Sequence, residues 1–447
     1  MKNFADIGLQ IPDLLLPAEN IDTGKWAVVA CDQFTSEPEY WAALADYVGD
    51  APSTLKMILP EVYLEEGDTQ ERIEATQAVM TAYQKEGVFN PFEGFVLVER
   101  KLTDPKNQNQ KVSRYGLMVA LDLEKYDFSK GSQSLIRATE GTIIDRLPPR
   151  MKIRRGAPVE LPHILVLLDD PEETVIEPLV EKAASFELAY DTELFGNGGH
   201  LKGYKITDQA SQSNIVGALR KLAVPETFAK KYGLETDKFG TLLYAMGDGN
   251  HSLATAKAIW EEIKAEVGMN HPARYALVEL ENIHCPALVF EPIHRFLEGV
   301  TADFFTDFAK VEKFNTTELT SMDALKTYVD ETQTDGTQRF GVISPNGYKG
   351  VSVTSPSKNL PVGTLQSFLD QWNQEGGYKT IDYVHGTDVI EKLAKEPGNM
   401  GFYLPAMEKS DLFKTVILDG SLPRKTFSMG EAHEKRYYLE CRKITTS

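Results

Sequence analysis

Residues 241–267, TLLYAMGDGNHSLATAKAIWEEIKAEV, change character twice within one short stretch. Residues 242–246 (LLYAM) have the composition of a buried strand. Gly247-Asp248-Gly249-Asn250 is a breaker in which every residue tolerates unusual backbone angles. Leu253, Ala256, Trp260, Ile263 and Val267 then recur at three- and four-residue steps, forming the apolar stripe of a helix. A strand, a glycine turn and a helix start make a cradle for an anion, because the first helical amides lack partners within the helix and the dipole is positive there. The dipole contributes only ~0.3–1 kcal/mol, so binding at this turn calls for several amides and a cation. The turn matches neither Gly-x-Gly-x-x-Gly nor a P-loop. It also reads as a plain strand–helix turn with Asp248 or Asn250 as N-cap. What favours a ligand is Asp248, Asn250, His251 and Ser252 together at the carboxyl end of a strand, where α/β proteins place their sites.

Working outward, residues 26–30 (WAVVA) read as a strand that ends at Cys31 and Asp32, a second corner carrying an acid. Taken alone, Asp32 reads as a cap or turn residue rather than a catalyst. Residues 57–61 read as a strand and 69–86 as a helix. Residues 94–100 and 113–121 read as a hairpin with its tip at 103–112. Residues 136–155 hold Arg137, Arg146, Arg150, Lys152, Arg154 and Arg155 against Glu140 and Asp145. That concentration is either an anion site, for which arginine's planar fork is suited, or a solvated helix face. Residues 161–168 read as a strand buried on both faces, and 196–199 as a hairpin turn. Residues 273–280 and 287–290 read as strands, with His294-Arg295 following; these two would meet the Asp248 turn if the strands were neighbours. From about residue 300, short strands and helices alternate as in an α+β domain. Lys425 sits in a proline-marked loop near the end of that region.

A chain of 447 residues is expected to hold two or three domains, divided here as 1–298 and 299–447. Its 42% hydrophobic and 25% charged content is that of an ordinary globular protein. A net charge of −19 disfavours nucleic acid and anionic membrane as partners. No apolar run is long enough to cross a bilayer, and the first residues are no signal peptide. The three scattered cysteines suit a reduced, cytoplasmic setting. The expected partners are a small-molecule substrate and, at most, a second copy of the chain.

The ordered blocks ACDQF, RATEGT…DRLPPR, GDGNHSLATA, ENIHCPALVFEPIHRFL and GSLPRKTF resemble the bacterial domain-of-unknown-function family numbered 1015. In that family the glycine turn typically reads Asp-Gly-His-His-Arg, whereas Asn250 and Ser252 stand here for the first His and the Arg. Ile293 stands for a usual Thr, and Cys31-Asp32-Gln33 where Pro-Tyr-Asp-Val is common. The turn is in turn similar to the ParB/sulfiredoxin superfamily, whose members include nucleotide switches, sulfiredoxin and free-serine kinases. The turn has no cysteine for sulfiredoxin chemistry, and the chain has no basic helix-turn-helix for partitioning. The resemblance implies an α/β to α+β fold: a mixed-sheet ParB/sulfiredoxin-like core with insertions, then a C-terminal α+β domain. It implies an enzyme moving a phosphoryl group from ADP or ATP (or CTP), with Mg²⁺, to a small hydroxylated, serine-like metabolite. Gly247, Gly249, Asn250 and His251 would meet the phosphates, with Arg146, Arg150, His294, Arg295 and Lys425 adding positive charge. Asp248 would hold Mg²⁺ or orient the nucleophile, and Asp32 or Glu140 would act as base. A nucleotide-binding regulator and a small-molecule phosphatase are the other two readings.

Overall fold

The run at 242–246 folds as the strand Tyr244–Asp248, buried through Met246. Both its edges are paired, antiparallel to Leu165–Leu168 and parallel to Ile136–Arg137. A strand covered on both edges and faces has no use for polar side chains, hence the unbroken apolar composition of both runs. In the computed structural model, residues 2–64, 66–104, 107–142, 144–235, 238–430 and 432–446 are described. Residues 105–106 of the expected hairpin tip lie outside them, as does the side chain of Arg146.

The principal sheet contains, in chain order, β1 (Phe95–Asp104), β2 (Asn107–Asp122), β3 (Tyr126–Asp127), β4 (Ile136–Arg137), β5 (Leu165–Leu168), β6 (Glu187–Glu193), β7 (His200–Ile206), β8 (Tyr244–Asp248) and β9 (Tyr275–Asn282). They lie side by side as β6-β7-β1-β2-β9-β5-β8-β4-β3, with two N-terminal strands added beside β2. The sheet is mixed: β5 is parallel to β9 but antiparallel to β8. The expected hairpins form as β1–β2 and β6–β7. Helix α1 (Leu147–Arg154) packs against helix α2 (Asn250–Val267), whose Leu253, Ala256 and Trp260 enter the core over β8.

The chain forms two compact units, Met1–Leu288 with Glu431–Ser447, and Val289–Gly430. The last segment thus returns to the first unit, whereas the sequence reading grouped 299–447 together. Tyr437–Tyr438 pairs with Val28–Val29, and Cys441–Lys443 enters a four-stranded sheet between Val159–Glu160 and Asp13–Pro17. The second unit is built on a six-stranded sheet with helices such as Pro361–Gln374 and Met322–Asp330, and an aromatic core of Phe304, Phe308, Phe368, Trp372 and Phe402. The architecture is mixed α/β, as expected at that level.

Some elements differ from the sequence reading. Residues 57–61, read as a strand, form no strand: they run from the end of one 3₁₀ turn, Thr54–Met57, through an irregular link at 58–60 to the start of another, Glu61–Tyr63. The buried Ser53 starts the first of these by accepting the Leu55 amide, a local bond that hydropathy does not register.

Candidate functional site

The glycine turn is built by Gly249. It takes φ +80°, serves as N-cap of α2 and offers no side chain, so neither Asp248 nor Asn250 caps the helix. A Cβ at Gly249 would sit 3.0 Å from the Ile164 backbone, so the turn crosses directly over the entry to β5. Asp248 bends back instead: Oδ1 accepts the Gly249 amide at 2.8 Å, and Oδ2 lies 3.2 Å from Lys435 Nζ. The helical ladder begins with Leu253 donating to the Gly249 carbonyl at 3.0 Å, so the preceding first-turn amides have no acceptor in the helix. Asn250 has a buried side-chain oxygen that makes no hydrogen bond.

Register decides what faces this turn. Leu165 pairs with Asp248, so the residues just before β5 meet those just after β8. His163 therefore lies beside α2, with Nε2 3.0 Å from Ser252 Oγ and 3.5 Å from Asp32 Oδ2. Its Nδ1 is 2.7 Å from the Tyr438 hydroxyl, which donates to Cys31 Sγ and accepts the Cys31 amide, both at 3.1 Å. The imidazole is thus held at both ring nitrogens, Nδ1 by the Tyr438 hydroxyl and Nε2 by Ser252 and Asp32, and which nitrogen carries the proton is set by which of these neighbours donates.

Burial raises the Asp32 carboxyl, but His163, the Gln33 amide and Lys435 together outweigh it and hold Asp32 below the usual carboxylate range. The Cys31 thiol is pushed up to about 12, mainly by burial, so it stays a neutral thiol. Burial also raises Glu61, which the Arg150 guanidinium partly opposes; these two form an ion pair.

Asp32, Gly247, Asp248, Gly249, Asn250 and His251 all belong to the first unit, and His163 joins Asp32 to Ser252 of the helix start. The basic stretch is largely committed to partners. Arg137 donates to the Ser134 and Gly240 carbonyls, Arg150 pairs with Glu61, Arg154 with Glu160 and Arg155 with Glu262. Glu140 is half-buried beyond β4, next to Thr139, whose hydroxyl donates to the Met246 carbonyl.

His294 and Arg295 do not join β8. Their strand, His294–Glu298, lies in the second unit's sheet between Thr380–Val384 and Met400–Tyr403. Arg295 is fully buried and donates to Gln366 and to the carbonyls of Ile293, Arg424 and Lys425, so it anchors a loop. His294 is buried against Tyr403, and burial lowers its pKa to about 4. Lys425 is exposed with φ +55°, its carbonyl held by Arg295.

No group of three or more His, Cys, Asp or Glu is placed to hold a metal among the described residues, and the Asp248 carboxylate is already shared between an amide and Lys435. A protein-built Mg²⁺ cage does not fit here. Sequence reading missed His163, Lys435 and Tyr438. His163 sits in an otherwise apolar run and was legible as an oddity, whereas the C-terminal pair arrives only through tertiary pairing.

Fold and site together define a mixed α/β protein with a polar cluster at a glycine turn. The chain belongs to the family described as "Protein of unknown function (DUF1015)", whose profile matches residues 15–372. No curated protein matches the sequence. Among solved structures it is similar to a free serine kinase in complex with AMP, at 12% identity and TM-score 0.36, covering 73% of this chain and 91% of that one. A conserved hypothetical protein from Pyrococcus furiosus gives 12%, 0.34, 73% and 95%. SbnI with C-terminal truncation from Staphylococcus aureus gives 9%, 0.34, 73% and 87%. These likenesses are too slight to carry a residue or a ligand across. No helix among the described residues is long and apolar enough to cross a membrane.

Proposed function

We propose that the first unit binds an adenine nucleotide with its phosphates at the Gly247–Ser252 turn and transfers a phosphoryl group to a small hydroxylated metabolite. The observation that carries this reading is His163 Nε2, held between Asp32 and the first turn of an 18-residue helix. Phosphoryl transfer asks a protein mainly to position reactants and to neutralise charge. The helix start supplies the positive potential, with Lys435, which also neutralises Asp248, beside it, and His163 with Asp32 takes the proton. The acceptor hydroxyl loses its proton to Nε2, and its oxygen bonds to phosphorus. The bond from phosphorus to the departing nucleotide oxygen breaks. Asp32 then faces an imidazolium, whose charge its carboxylate balances. Glu140 is the weaker choice for base, since His163 already sits between Asp32 and Ser252. Asn250 has an oxygen still owed a donor, which a ribose or acceptor hydroxyl would satisfy. Mg²⁺ would enter on the phosphates, its usual route where protein carboxylates are few, and would neutralise charge there.

The test is ³¹P NMR of the pure protein with ATP or ADP, Mg²⁺ and a panel of hydroxylated metabolites. A new phosphate ester signal that disappears in His163→Gln and Asp32→Asn supports transfer. Phosphate release without nucleotide would instead indicate a phosphatase. One observation favours a binder without turnover: position 252 is a serine hydrogen-bonded to His163, not a cation. Nucleotide binding with no product across the panel would establish that reading.

A further inference from the structure

Beside the turn lies a cavity of about 140 Å³ whose wall includes His163 and Ser252. Most of the remaining wall is apolar, from Met57, Leu59, Met80, Ile153, Val159 and Leu161. Four side chains on it carry formal charge: Glu61 pairs with Arg150, and Arg154 pairs with Glu160, which also holds Arg442 from behind the wall. Each of the four already has a partner of opposite sign, so a charged ligand would have to draw one out of an existing pair to be compensated. An apolar ligand group of the right size needs no such exchange. An apolar cavity of about 150 Å³ accommodates benzene.

We infer that this cavity is the acceptor subsite and takes a small uncharged alcohol with an apolar body of about benzene size. The alcohol's hydroxyl lies at Ser252 and His163, which distinguishes the acceptor from a zwitterionic hydroxy amino acid. The inference rests on the phosphoryl-transfer reading and names its acceptor class. The hydroxyl has two polar neighbours, Ser252 Oγ and His163 Nε2, and the apolar body covers side chains that water would otherwise wet.

The test uses the full chain, with benzyl alcohol and 3-methylbutanol as probes against L-serine and glycerol. Binding is followed by saturation-transfer NMR, and ADP binding separately by thermal unfolding. The two apolar alcohols are expected to saturate and to compete with one another, and serine and glycerol to show no saturable binding. Ile153→Phe, which fills the cavity from its half-buried rim, is expected to weaken benzyl alcohol about tenfold or more. The ADP-induced shift should stay unchanged. Ile153→Ala enlarges the site and should improve 2-phenylethanol relative to benzyl alcohol, which keeps the test decisive should the phenylalanine variant not fold. Saturable serine without benzyl alcohol binding overturns the inference, as does indifference of the alcohols to both variants. Loss of the ADP shift in Ile153→Phe also overturns it, because the cavity would then hold the base. If ADP gives no shift with the wild type while the alcohols still bind in the cavity, the phosphoryl-transfer reading falls and the preference for neutral alcohols stands.

Discussion

Asp32 shows how three neighbours reverse the effect of burial. Desolvation pushes its carboxyl upward, and His163, Gln33 and Lys435 pull it below the ordinary value. Its folded pKa is therefore lower than its unfolded one. The stability it contributes is present above the ordinary carboxylate range and is lost as pH falls through the folded value. Urea midpoints of wild type and Asp32→Asn should thus differ most near neutrality and converge below about pH 4. A gap that widens on acidification would contradict the assignment. Cys31, its neighbour, is the opposite case, with burial as the main cause and a pKa of about 12. Iodoacetamide should leave it unmodified in the native protein and label it only in urea, as read by mass spectrometry. Arg295 is a buried anchor. Replacing it with Ala strands several acceptors at ~1–3 kcal/mol each, so a loss of about 3 kcal/mol or more is expected in chemical unfolding.

At the scale of elements, the site depends on one turn and one register. Gly249→Ala must adopt φ near +80° with its Cβ against Ile164, a strain of about 1–3 kcal/mol. It should lower the unfolding midpoint and weaken nucleotide binding together; full stability in this variant would mean that the turn relaxes freely. The sequence disclosed this element well: apolar strand, glycine break and striped helix are all in place, because each is dictated locally. The hairpin β1–β2 was legible for the same reason. His163 was not, because it reaches Ser252 through the antiparallel pairing of β5 with β8, and pairing is set by the whole sheet. The arginines of 136–155 misled for a related reason. Composition revealed a concentration of charge but not its partners, and Glu61, Glu160 and Glu262 come from distant segments.

At the scale of the molecule, the first unit is closed by the chain's own last segment. Arg436 is buried between Glu279 and Glu440, and Arg442 holds Glu160 with the carbonyls of Pro272 and Tyr275. Removing one member of such a buried pair leaves an uncompensated charge, at about 3–5 kcal/mol. Arg436→Met should therefore destabilise the first unit by about that much in urea unfolding. The same segment carries Lys435 and Tyr438 to the glycine turn, so closing the fold and completing the site are one event. The proposed function requires this turn to receive the phosphates of a nucleotide. Titration calorimetry of ADP with Mg²⁺ into wild type and Gly249→Ala tests it most directly. Saturable binding by the wild type that weakens about tenfold in the variant is predicted, the equivalent of about 1.4 kcal/mol. Absence of binding at millimolar ADP, or equal affinity in the two proteins, would contradict it.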